Sequence, residues 1–241
     1  MKKIYFISDV HLALDREKDT IDRKNKLLSF LEYIEDEASK IVFAGDLFDF
    51  WFEWYYVIPG FHFDLFSKFK EMIKNGIEIV YLTGNHDFHL SDFLTKEIGM
   101  NCIDETYTFE VGEKKFFVAH GDGYAKVDSG YRFLKKILRS KISNFLFKTL
   151  IHPDLGILFA KLTSGSSRKY RTIDRSKWRD EYLDFAKTKF MENFNYVILG
   201  HLHDPVIEEV NGNFYLNTGD WINHFSYGVF DGEELELKYY K

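Results

Sequence analysis

The chain has 241 residues, with 32 Lys/Arg against 38 Asp/Glu, 45% apolar residues and 29% charged ones; this ordinary globular make-up excludes disorder, a collagen-like repeat and a membrane bundle. No apolar run approaches the roughly 18 residues of a membrane-spanning helix, and the short run 4–7 is cut off by Asp9 and His11, so it does not read as a leader. One cysteine, Cys102, excludes an internal disulfide, and the chain reads as cytoplasmic.

In chain order, residues 3–8 form a β-prone run that stops at Asp9. Residues 21–38 carry Leu27, Leu28, Leu31 and Ile34 at helical spacing. A second strand is expected over 40–44, a helix over 64–74 ending at Asn75-Gly76, and a third strand over 77–82. This alternation implies βαβ units with parallel pairing. After Gly99 the pattern changes. Residues 103–111 and 115–119 read as antiparallel strands about Gly112-Glu113. Helices are expected over 127–150, 153–162 and 174–193, with Leu134, Leu138, Ile142, Phe145 and Leu146 on one face of the first. A strand over 196–199 ends at Gly200, and the last forty residues read as a β-meander. The economical organisation is one α/β domain, 1–241, with a helical insertion at 124–175.

That insertion holds twelve Lys/Arg against three Asp, in a chain whose net charge is −6. An anionic partner at the insertion explains this, and so does simple balancing of an acidic body. The run 48–56 is rich in aromatics and is either core filler or a pocket wall. Cys102 reads as a small buried hydrophobe, and His62, His89 and His152 as surface or core residues. His224, just after Gly219-Asp220-Trp221, is left open.

Five short motifs follow predicted strands: Asp9-Val10-His11, Gly45-Asp46-Leu47-Phe48-Asp49, Gly84-Asn85-His86-Asp87, His120-Gly121-Asp122 and Gly200-His201-Leu202-His203. Ligands of open α/β sheets gather beyond the carboxyl ends of strands, so the motifs are expected at one edge. A skip pair such as Asp9/His11 or His201/His203 points both side chains one way if the backbone is extended, and the glycines permit sharp turns and close approach. Asp9, His11, Asp46, Asn85, His120, His201 and His203 make seven N and O donors without a thiolate. Seven suit two ions rather than one, and the mixture favours Mn, Fe or Zn over a pure Mg or Ca site. Two ions sharing a carboxylate would lie about 3.5–4 Å apart, as in hydrolases that clamp a phosphoryl group.

The five motifs in this order resemble the calcineurin-like metallophosphoesterases over essentially the whole chain. The resemblance implies a four-layer α-β-β-α sandwich of two mixed sheets. It implies one metal held by Asp9, His11, Asp46 and His203, and another by Asp46, Asn85, His120 and His201, with Asp46 bridging. It implies His86 as phosphate contact and general acid, Asp87 orienting the His86 ring, and Asp49 as an outer partner rather than a ligand. Within the superfamily the chain is most similar to the UDP-2,3-diacylglucosamine hydrolases of lipid A synthesis. Its basic apolar insertion, the polar loop Ser164–Arg171 and the aromatic run after Gly45-Asp46 carry that likeness.

The likeness implies an insertion that closes as a lid over acyl chains, and a reaction yielding UMP and the acylated sugar 1-phosphate. It implies two divalent ions, Mn²⁺ first, with Fe or Zn also fitting. Asn85, His86, Asp122, Ser167, Arg168, Lys169 and Arg171 become substrate contacts. The lid would meet an anionic membrane surface at the inner face of the cell membrane. The best-known members carry Arg where this chain has His86. Another phosphodiesterase or phosphatase stays open as an alternative, and a non-catalytic scaffold as a remote one. A nuclease would want basic residues along a groove, and here they are concentrated in the insertion, so no nucleic acid is expected.

Overall fold

Strand β1 (Lys3–Ile7) divides its side chains between two cores: Ile4 and Phe6 face one, Tyr5 and Ile7 the other. β2 (Ala38–Phe43) and β3 (Glu78–Leu82) repeat the division, with Val42 and Val80 on the first side and Ile41, Phe43, Ile79 and Tyr81 on the second. Burial on both faces is why these stretches read as unbroken apolar runs. The computed structural model describes residues 2–87, 90, 92–124, 139–158, 161 and 175–241, the side chains of 141 and 175–177 aside.

The remaining strands are β4 (Asn101–Ile103), β5 (Thr106–Val111), β6 (Lys114–Ala119), β7 (Tyr196–Leu199), β8 (Val206–Val210), β9 (Asn213–Asn217), β10 (Ser226–Phe230) and β11 (Leu235–Tyr239). One sheet runs β11-β10-β1-β2-β3-β4 and the other β5-β6-β7-β9-β8, each mixing parallel and antiparallel pairs. Phe6, Val42, Val80 and Phe230 of the first sheet meet Phe116, Val118, Ile198 and Leu216 of the second in the central core. Helices α1 (Lys18–Ile34) and α2 (Phe63–Lys74) cover the outer face of the first sheet with Leu27, Phe30, Leu31, Phe66 and Phe69. α3 (Lys141–Leu150) lies between β6 and α4 in the chain, and α4 (Arg175–Met191) covers the second sheet with Tyr182 and Ala186. The four-layer α-β-β-α arrangement is as expected.

Four local expectations are corrected. The run 103–111 is two strands, broken at Glu105 with φ +65: β4 extends the first sheet beside β3, and β5 starts the second. The C-terminal strands are not one meander but two hairpins, β8–β9 on the second sheet and β10–β11 on the first. Ala38 opens β2 rather than closing α1. The helix expected over 127–150 begins, among the described residues, only at Lys141. Ser140 is extended and its Oγ accepts the Ser143 N–H at 3.1 Å, which is N-cap geometry. Residues 125–138, which include Leu134 and Leu138, lie outside the described ones, as does His89. Cys102 is half-buried rather than buried, and burial pushes its thiol up to about 12.

The aromatic run is core filler in part. Phe48 and Trp51 fill the core under α2. Phe52 and Trp54 instead pack on α3: their rings lie 4.7 and 6.0 Å from that of Phe147, and Trp54 Nε1–H donates to the Ile151 carbonyl at 3.0 Å. Ile142, Phe145, Leu146, Leu150, Leu155 and Leu158 are exposed, as are Tyr55 and Tyr56. Among the described residues no helix is long and apolar enough to cross a membrane.

Candidate metal centre

The parallel pairing of β1 and β2 continues past both strands. Asp9 N–H donates to Gly45 O at 3.2 Å, His11 N–H to Asp46 O at 3.0 Å and Leu12 N–H to Leu47 O at 3.0 Å. The first two motifs are therefore laced side by side. The expected extended backbone is not what aims their side chains. Asp9, His11, Asp46, His201 and His203 all have positive φ, between +52 and +68. Alternating left-handed and ordinary residues turns the skip pairs to one side. Each such residue costs about 1 kcal/mol or more, and such backbone clusters where a site demands it. Two glycines are required by contact: a Cβ on Gly84 would lie 2.0 Å from Asp46 Oδ1, and one on Gly45, at φ +89, would lie 2.5 Å from the His120 ring.

All seven expected ligand residues converge, in two halves. In the first, His203 Nε2 lies 3.0 Å from Asp9 Oδ1 and 3.2 Å from His11 Nε2, and His11 Nε2 lies 3.6 Å from Asp46 Oδ2. In the second, Asn85 Oδ1 lies 2.9 Å from His201 Nδ1 and 3.1 Å from His120 Nε2, and His120 Nε2 lies 3.4 Å from the same Asp46 Oδ2. One carboxylate oxygen thus faces both halves. Asp9, His11 and His203 offer atoms within 4.8 Å of one another, as do Asp9, Asp46 and His120.

Outer groups fix the rings. His11 Nδ1 is 2.9 Å from Asp49 Oδ1, and His120 Nδ1–H donates to the Ala44 carbonyl at 2.8 Å, so each turns Nε2 inward. Tyr182, on α4, donates its hydroxyl to the Gly121 carbonyl at 2.7 Å and so braces the His120 loop. Asp9 Oδ2 accepts the His201 N–H at 2.8 Å and the Ser8 hydroxyl.

The electrostatics favour positive charge here. Burial opposes ionising Asp9 and Asp46, yet His203 and His11 hold the Asp9 carboxyl well below the usual range, and His120, His86 and His11 do the same to Asp46. Burial alone would lower the His11 and His120 rings; the facing carboxylates raise them instead, to about 9 and about 10. His201 is pushed down to about 4 by burial and by His120. Asp9 Oδ1 and Asp46 Oδ2 are buried and accept no hydrogen bond among the described residues. Orphaned buried carboxylate oxygens are costly, and these two are aimed where a divalent ion would take them. Donor types, ring orientations and orphaned oxygens all fit metal binding.

One expected role is placed differently. Asp87 does not touch the His86 ring. Its Oδ1 accepts the Asp46 N–H at 3.1 Å and the Gly84 N–H at 2.9 Å, and its Oδ2 accepts the Phe48 N–H at 3.1 Å and the Tyr81 hydroxyl. Fully buried, it braces the turns that carry Asp46 and Asn85. His86 is instead held by its Nδ1–H on the Asp49 carbonyl at 3.1 Å, edge-on to His11 at 4.9 Å. Asp122 is buried, and its charge acts on both His120 and His201. Ser167, Arg168, Lys169 and Arg171 lie outside the described residues.

Sequence reasoning passed over Asp220, whose Oδ2 lies 3.7 Å from His203 Nδ1. The available signal was its place after Gly219 at the end of β9, the strand-end arrangement of the other motifs.

The profile of the calcineurin-like phosphoesterase family matches residues 2–205. A UDP-2,3-diacylglucosamine hydrolase of Porphyromonas gingivalis is 34% identical, covering 98% of this chain and 97% of the relative. Proteins of the same name from Haemophilus influenzae and Vibrio atlanticus are each 25% identical, covering 94% and 98% of this chain and 93% and 96% of theirs.

Proposed function

The chain belongs to the calcineurin-like phosphoesterases, and on that premise we propose that it hydrolyses the pyrophosphate of UDP-2,3-diacylglucosamine to UMP and 2,3-diacylglucosamine 1-phosphate. The observation that carries the chemistry is the convergence of seven N and O donors on two orphaned carboxylate oxygens. The observation that carries the substrate is 34% identity, over nearly the whole of both chains, to a hydrolase of that name.

In this reading Asp9, His11, Asp46 and His203 hold one ion, and Asp46, Asn85, His120 and His201 the other. Mn²⁺ suits the mixed donors, with Fe and Zn next. The bound ions supply a nucleophilic water at neutral pH and counter-charge for the phosphoryl oxygens. Water adds at the α-phosphorus, and the bond to the bridging oxygen breaks towards the sugar phosphate. His86 has its Nδ1–H committed to the Asp49 carbonyl, so Nε2 is the nitrogen that exchanges a proton with the leaving group. Asn85 and His86, both half-buried, form the open side towards substrate, with Asp122 behind His120.

The insertion, 124–175, is read as a lid within the one domain. Its apolar side chains at 142, 145, 146 and 150 are exposed, as are Tyr55 and Tyr56, and Lys148 lies 4.6 Å above the Tyr55 ring. That combination suits acyl chains and an anionic membrane surface at the inner face of the cell membrane. Ser167, Arg168, Lys169 and Arg171 are proposed contacts for the head group.

The test is UMP release from UDP-2,3-diacylglucosamine with Mn²⁺, run beside a small chromogenic phosphodiester and repeated in excess chelator. Fast, chelator-sensitive UMP release is expected. Turnover of the small diester alone would keep the metal chemistry and discard the lipid substrate, with His86 the first residue to examine. Turnover that ignores the chelator would discard the metal chemistry.

A further inference from the structure

We propose that Asp220 is the positioning residue of His203, the counterpart on that ring of what Asp49 is to His11. The inference rests on the metal reading above and concerns a residue that reading does not use. Asp220 is buried, and its two oxygens have separate duties. Oδ1 accepts the backbone N–H groups of Ile222 at 2.8 Å, Asn223 at 2.6 Å and His224 at 3.3 Å, which closes a turn on the carboxylate. Oδ2 is left to face two histidines, His224 Nδ1 at 2.8 Å and His203 Nδ1 at 3.7 Å.

The turn is fixed to the centre. Trp221 N–H donates to the Asp9 carbonyl at 3.1 Å. Gly219 stands at φ +77, where a Cβ would lie 2.2 Å from Ser226 Oγ and 2.7 Å from Pro205. Asp220 is therefore tied to the backbone of one ligand while its free oxygen meets the ring of another. At 3.7 Å it acts by charge rather than by a formed hydrogen bond. A carboxylate there favours the tautomer with hydrogen on Nδ1, which leaves the Nε2 lone pair facing Asp9 Oδ1 at 3.0 Å. His224, on the far side of Oδ2, keeps that oxygen from rotating away.

Asp220→Asn separates this role from folding. An amide with its oxygen at the Oδ1 position keeps the turn and sets an NH₂ donor against two ring N–H groups. Mn²⁺ binding is measured by calorimetry and by the electron paramagnetic resonance of the coupled pair. The expected result is one dissociation constant raised about 10–100-fold, the other within about twofold, and an unchanged thermal midpoint in excess chelator. Excess Mn²⁺ restores turnover with KM unchanged. Two unchanged constants overturn the role, as does equal loss of both ions with a lowered midpoint. If the variant does not fold, nitrogen NMR of the Zn²⁺-loaded wild type decides. An Nδ1–H tautomer at His203 supports the proposal and an Nε2–H tautomer overturns it. A wild type that binds no metal overturns the reading beneath it instead.

Discussion

Around His11 and His203 stand four buried carboxylates, Asp9, Asp46, Asp49 and Asp220; around His120 and His201 stand Asn85, the Ala44 carbonyl and the shared Asp46 and Asp9, with Asp122 beyond. Exposure divides less cleanly: His11, His203 and His120 are buried, whereas Asn85 and His201 are half-buried. On the proposed metal reading, the first half would hold a cation mainly by charge, and the second, where Asn85 stands in place of a carboxylate, would be the side that meets an anionic substrate with less repulsion.

The largest effect should come from the one group that belongs to both halves. Asp46→Asn is expected to lower kcat/KM by roughly 10³-fold or more, beyond the about 10–100-fold of an outer partner, with metal analysis showing fewer than two ions per chain.

Acid should disturb the first half through its support. His62 Nε2–H donates to the Ala13 carbonyl at 3.0 Å, just past His11, and burial, aided by Lys24, pushes this ring down to about 4. Unfolded, it takes a proton near the ordinary value of about 6.5. The stability it contributes is complete above that pH and is lost as the pH falls towards 4, by about 3 kcal/mol. Urea melts at pH 7.5, 5.5 and 4 should show this slope in the wild type and a flatter one in His62→Gln. Equal slopes would remove His62 from the account.

His86→Ala should leave both ions bound and lower kcat about 100-fold. Loss of an ion would make His86 a ligand, as its closeness to His11 and Asp46 would permit. The mildest change sharpens the contrast rather than breaking it. Asn85→Asp gives the second half a carboxylate of its own and should tighten the weaker Mn²⁺ site roughly tenfold, about 1.4 kcal/mol, while slowing turnover of the anionic substrate. Calorimetry and initial rates check both signs.

The convergence of the candidate ligands was legible because their chemistry is sparse and their placement regular. Asp, Asn and His sat just beyond apolar runs, and a parallel sheet brings such positions together whatever their separation in sequence. Backbone conformation was not legible: nothing in Asp-x-His announces two left-handed residues, since the loops laced to it impose them. Asp87 was misplaced for a related reason. Adjacency to His86 suggested contact, but a buried carboxylate goes where backbone N–H groups are concentrated, and those belonged to Asp46, Phe48 and Gly84. The break at Glu105 was hidden because β-prone residues continue on both sides of it, although they serve different sheets. Ser140 was the visible sign of a helix start inside 127–150, and helical periodicity running across it masked the cap.

The ligand loops do not all grow from one sheet. Asp9, His11, Asp46 and Asn85 follow strands of the six-stranded sheet, and His120, His201 and His203 follow strands of the five-stranded one. Each proposed ion draws on both, so it acts mechanically as a rivet through one end of the sandwich. The opposite end is held by side-chain packing and by single side-chain hydrogen bonds, such as Lys114 Nζ to the Gly232 carbonyl at 3.2 Å. Loaded at 100 times its dissociation constant, one such rivet adds about 2.7 kcal/mol against unfolding. Its removal should be felt first as faster hydrogen exchange in the strand ends beneath the centre, while the far end of the sandwich keeps its protection.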